Sequence, residues 1–117
     1  MSKYWLKEPQ KHDFPAAADY LELLFDDQDS KAFVEKLKKA RTISKKAKDI
    51  LRASQLPLLP KRNIHVKANL KAVNKGQKMS PVLLVRDNHK LTIADGYHRV
   101  CAIYYLSEDL EIPCRLV

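Results

Sequence analysis

Residues 92–105 read TIADGYHRVCAIYY. A run of β type breaks off at Asp95-Gly96, and an aromatic, a histidine and an arginine follow before the chain turns apolar again. A glycine between a strand and a helix can take positive φ and lets a ligand approach the backbone. The first N–H groups of the helix have no intrahelical partner, and the helix dipole adds partial positive charge at the same end. Together these make a site for an anion. Arg99 adds a planar fork that matches phosphate oxygens two at a time. His98 can donate a hydrogen bond or exchange a proton near neutral pH. Asp95 can hold a ribose hydroxyl, orient a metal-bound water, act as a base or simply cap the helix. Each group also has an ordinary use: His98 as a turn residue, Arg99 as an ion-pair partner, and Tyr97, Tyr104 and Tyr105 as core or rim aromatics. Their meeting at one turn carries the functional reading. Asp95 and His98 are the catalytic candidates; Gly96, Tyr97, His98 and Arg99 are the phosphate or nucleotide contacts.

The charge of the chain supports an anionic partner. The formal charge is +8 over 117 residues, and the excess is uneven. Residues 50–86 contain no Asp or Glu but include Arg52, Lys61, Arg62, Lys67, Lys71, Lys75, Lys78 and Arg86. Such a stretch attracts phosphate-bearing ligands, although the same lysines also make an ordinary solvated surface. Lys61 and Arg62 could close over phosphates. Lys67, Lys71 and Lys75 recur at every fourth position, which places them on one helix face as candidate contacts to a nucleic-acid backbone.

The elements that must position these groups follow from pattern. Pro15 fits a first helical turn with Asp13 as a cap, and Ala17, Tyr20, Leu21 and Leu24 share a face. Asp29 or Ser30 can cap a second helix whose stripe is Phe33, Leu37 and Ala40. Thr42 or Ser44 can open a third, with Ala47, Ile50 and Leu51 inward, and Pro57 and Pro60 end it. A fourth follows KRNIH, with Val66, Leu70 and Val73 on one face and Gly76 as its stop. Residues 81–85 read as a strand, RDNH as a turn, and 90–94 as the returning strand of a hairpin. A helix over 97–106 carries Val100, Cys101, Ile103 and Tyr104, so it should pack on the sheet. Residues 112–117 form a closing strand, with Pro113 suggesting an edge or a strand start. The order predicts an α+β domain with a small mixed sheet.

Other classes are excluded by what is missing. No apolar run approaches the roughly 20 residues that span a bilayer. The start, MSKYWLKEPQKHDF, has no apolar signal region, so a cytoplasmic location is expected. Cys101 and Cys114 have no metal-ligand spacing, so no metal site on the protein is expected and reduced thiols are the default. Cys101, on an apolar helix face, reads as packing.

The stretch SPVLLVRDNHKLTIADGYHRVCAIYYL, with the closing IPCRLV, resembles the ParB/sulfiredoxin superfamily. The resemblance covers residues 56–117. It implies a ParB/sulfiredoxin-like core there, with residues 1–55 as a helical N-terminal extension of the same single domain, 1–117. In ParB-type proteins the turn resembles G-E-R-R and grips nucleotide phosphates; Gly96 and Arg99 match it. In sulfiredoxins it resembles G-G-C-H-R; Gly96, His98 and Arg99 match, but Tyr97 stands where the catalytic cysteine would be, which argues against redox repair. Members that phosphorylate free serine have a D-G-H-H-R-like stretch, close to Asp95-Gly96-Tyr97-His98-Arg99. LPLLPKRN loosely echoes the Pro-Arg segment that helps hold the nucleotide, which again points to Lys61 and Arg62. The resemblance implies a nucleotide such as ATP, ADP or CTP with Mg2+, and phosphotransfer or phosphoester hydrolysis, including nuclease action. The downstream helix-turn-helix of ParB proper is not in this sequence, so partition function is not expected. The alternative is a non-catalytic nucleic-acid or protein binding module that uses the basic face.

Overall fold

The computed structural model describes residues 3–117. The elements run α1 Asp13–Leu21, α2 Asp27–Lys39, β1 Ile43–Lys46, α3 Ala47–Ser54, α4 Ile64–Asn74, β2 Val82–Asp87, β3 Lys90–Asp95, α5 Tyr97–Leu106 and β4 Glu111–Leu116. The four strands form one mixed sheet in the order β1-β4-β2-β3. β2 pairs antiparallel with β3 and parallel with β4, and β4 pairs antiparallel with β1. The class is therefore α+β, as the pattern predicts. No helix among the described residues is long and apolar enough to cross a membrane.

The run Val82-Leu83-Leu84-Val85 explains the layering. All four side chains are buried, yet a strand alternates its faces. Both faces of β2 must therefore be covered. Val82 and Leu84 pack with Ile50, Val66, Val100, Cys101 and Ile103 of α3, α4 and α5. Leu83 and Val85 pack with Ala17, Leu21, Val34 and Leu37 of α1 and α2. The result is three layers, helices on each side of one sheet.

This layering corrects the reading of residues 1–55 as a helical extension. α1 and α2 form one of the two covering layers, and residues 43–46 are a strand rather than the start of a helix. Thr42-Ile43 are β-branched, and the edge of β4 offers a ladder, so Ile43 to Lys46 pair with Cys114 to Glu111. β4 accordingly lies inside the sheet, not at its edge. The register with β2 begins at Cys114, one residue past Pro113, so the missing N–H of the proline falls where β2 does not yet run alongside.

The helix caps also differ in detail. Asp26, not Asp29 or Ser30, caps α2, its carboxylate accepting from the Asp29 N–H at 2.7 Å. Its neighbours Asp27 and Asp29 lie in the first turn and Lys36, Lys38 and Lys39 in the last, which complements the helix dipole. Arg115 of β4 donates to the carbonyls of Leu37 and Lys38 at 3.1 and 2.9 Å and pairs with Glu8, tying the end of α2 to the sheet. Asp13 does not cap α1. It is the first residue of the helix, is buried, and its carboxylate accepts from the Gln10 N–H at 3.0 Å and from the Ser80 hydroxyl. Leu24 lies beyond the end of α1 and is exposed, because the helix stops at Leu21.

Candidate functional site: the β3–α5 turn

Gly96 joins β3 to α5 with φ +112° and ψ +15°. A Cβ added there would stand 2.8 Å from Arg99 Nη2 and 2.9 Å from Val82 Cγ2. Both the backbone angle and the space therefore require glycine. No side chain caps α5, and the first intrahelical bond runs from the Val100 N–H to the Gly96 carbonyl. The N–H groups of Tyr97, His98 and Arg99 thus precede the helical ladder.

Asp95 does not act as the cap. Its carboxylate accepts from Arg99 Nη2 at 2.9 Å, four residues on, and both side chains are largely buried, at 19% and 18% exposure. Burial pushes the Asp95 carboxyl above the usual carboxylate range; Arg99 opposes the shift and nearby Asp13 adds to it. Arg99 Nε is buried with no hydrogen-bond partner among the described residues, so the guanidinium is only partly satisfied by Asp95.

His98 lies against His65 of α4, with ring centroids 4.7 Å apart, and beside Tyr97 at 5.7 Å. Burial first, then His65 and Arg99, hold the His98 imidazole below its usual range. The neutral ring, which can both donate and accept, is thereby favoured. His65 stands in the first turn of α4, where Asn63 caps the helix by accepting from the His65 and Val66 N–H groups at 3.0 and 3.2 Å. The contact between His65 and His98 therefore brings the N-terminal ends of α4 and α5 together.

The remaining candidates are placed apart from this turn. The Tyr97 hydroxyl donates to the Pro57 carbonyl at 2.5 Å, and the Tyr105 hydroxyl to the Leu59 carbonyl at 2.6 Å. These bonds lay the segment 56–60 along α5. They carry Lys61 to the Tyr105 ring, its Nζ 5.3 Å from the centroid, about two and a half helical turns beyond Gly96. Arg62 is exposed, as are Lys67 and Lys71 on the outer face of α4 and Lys75 at its C-cap, just past the helix. The structure thus gathers Asp95, Gly96, Tyr97, His98 and Arg99 and leaves the five basic candidates on the surface.

Two groups near the turn escape a reading by pattern. His65 is one; its only local signal is its place just after an Asn cap. The other is the pair His12 and Asp13 at the start of α1, with His12 Nε2 3.4 Å from Asp13 Oδ1 and both acting electrostatically on Asp95. Nothing in the spacing of residues 12 and 95 announces that influence. Cys101 and Cys114 are both buried and unpaired, and burial pushes their thiols up, that of Cys114 to about 11. Neither is poised as a nucleophile. Among the described residues no group of three or more His, Cys, Asp or Glu could hold a metal ion. No family model, no curated protein and no solved structure matches the chain.

Proposed function

We propose that the β3–α5 turn binds the phosphate of a nucleotide, in a protein of ParB/sulfiredoxin-like kind that acts in phosphotransfer or phosphoester hydrolysis. The observation that carries this reading is the convergence of two helix N-termini, with His65 and His98 4.7 Å apart, beside an uncapped α5 that opens on a left-handed Gly96. Two positive helix ends at one place favour an anion. The Tyr97, His98 and Arg99 amides would hold phosphate oxygens. Arg99 would add charge while Asp95 keeps the guanidinium in position. Neutral His98 would donate to a phosphate oxygen or exchange a proton with a leaving oxygen. Asp95 is the base candidate, since its raised carboxyl pKa suits proton transfer better than an ordinary aspartate would.

Magnesium fits this site only in company. Asp95 faces Arg99, and Asp13 is held by Ser80 and Gln10, so the cation would arrive on the nucleotide phosphates with water completing its shell. Buried, unpaired Cys101 and Cys114 suit a reducing compartment, and the proposed location is the cytoplasm. A thermal-shift panel with ATP, ADP, CTP and GTP, with and without magnesium, tests the reading. The parent should be stabilised by at least one nucleotide, and the shift should vanish in Arg99→Ala and shrink in His98→Ala. No shift with any of the four would remove the nucleotide.

A second reading rests on the exposed Lys67, Lys71 and Lys75, none of which forms an ion pair among the described residues. They make α4 a contact face for a nucleic-acid backbone. Such binding would survive Arg99→Ala, whereas nucleotide binding would not.

A further inference from the structure

A cleft of about 530 Å³ lies at the other end of the sheet, between α3 and the β2–β3 hairpin. The strand register separates it from the proposed phosphate turn: Leu83 pairs with Asp95 at one end of the hairpin and Asp87 with Lys90 at the other. α3 has only eight residues and does not cover the whole sheet face below it. Ile50 and Leu84 are buried at the base of the cleft, while Leu91 and Leu116 remain part-exposed. Strand alternation puts Arg86 on the same face as Leu84, directly opposite Leu91. Lys45 follows Ile43 on that face of β1, opposite Ile112.

The charges of the rim are not balanced. Asp49 pairs with Arg52 at 3.6 Å. Asp87 also lines the cleft, at the end of β2 and opposite Lys90. Neither Lys45 nor Arg86 is in an ion pair among the described residues. His89, left-handed at φ +63°, adds a ring at the mouth. An apolar floor edged by three cations outside any ion pair among the described residues, Lys45, Arg86 and Lys90, has the size and lining of a small-molecule site.

We propose that this cleft binds a small amphiphilic carboxylate, its ring or short chain resting on Leu84, Leu91 and Leu116 and its carboxylate between Lys45 and Arg86. The site is independent of the phosphate turn. Titration of the ¹⁵N-labelled chain with 1-naphthoate, and separately with 1-naphthylmethylamine, tests it. Naphthoate should give saturable shifts at the amides of Leu84, Arg86, Leu91 and Leu116. Its affinity should fall roughly tenfold in Arg86→Glu, about the effect of losing one good charge contact. Ala53→Trp places a large side chain in the cleft from an exposed position of α3, so it should abolish binding with the rest of the spectrum unchanged. The amine should bind far more weakly than the acid. Shifts confined to Gly96 and Arg99, equal binding of amine and acid, undiminished binding in both variants, or no saturable shift would each overturn the proposal.

Discussion

At the scale of residues, Gly96 and His98 make the sharpest claims. Gly96→Ala would force a β-carbon into the left-handed region and against Val82, a core side chain that cannot yield as freely as the Arg99 fork. The expected cost is about 2 kcal/mol or more, read as a fall in the denaturant midpoint. His98 predicts a pH dependence. Its folded pKa is depressed, so the neutral ring is favoured in the fold. That contribution is complete above the ordinary imidazole pKa and is lost as pH falls through it toward the folded value. Stability measured stepwise from pH 8 to pH 5 should decline on the acid side, and His98→Gln should flatten the decline. An unchanged slope in that variant would assign the effect to another group. The presence of Asp95, Gly96, His98 and Arg99 at one turn was legible in the sequence because all lie within five residues, where local geometry decides. That Asp95 serves Arg99 rather than the helix end was not, since a carboxylate can satisfy either and burial makes the choice.

At the scale of elements, the start of α4 is as important as the start of α5. Asn63 closes the first turn of α4 and so sets where His65 stands. Asn63→Ala should cost about 1 kcal/mol of stability. If the His65–His98 contact depends on that turn, the side-chain NMR signals of His98 should shift in the same variant; unmoved signals would mean that α4 is held by its packing alone. β2 carries the complementary test. Leu83 is fully buried against α1 and α2, on the face away from α5. Leu83→Ala should destabilise the whole protein by about 2–5 kcal/mol in one cooperative transition. A separate early melting of α1 and α2 with the sheet intact would show instead that they are an appendage. The hairpin was legible from RDNH, and it closes on left-handed Asn88 and His89. β1 was not, because four residues with one part-buried and three exposed side chains carry no periodic signal. Only the waiting edge of β4 makes them a strand.

At the scale of the whole molecule, the net charge of +8 and the acid-free stretch over 50–86 set up a positive field that acts beyond any single site. If nucleic acid is a partner, its affinity should fall steeply between low and physiological salt, and the triple variant Lys67→Gln, Lys71→Gln, Lys75→Gln should lower the slope of log affinity against log salt by roughly 2–3. Fluorescence anisotropy with a labelled duplex measures both, and a salt-independent affinity would discard the basic face as an interface. Composition, charge, the α+β class and the grouping of residues at the β3–α5 turn came from patterns a few residues long, whose physics is local: dihedral preference, periodicity and unpaired helix amides. The two-sided core, the internal position of β4, the arrival of His65 and Asp13 beside the turn and the removal of Lys61 to Tyr105 came from the tertiary structure alone. They join residues separated by tens of positions, and only the requirement to cover both faces of β2 brings those residues together.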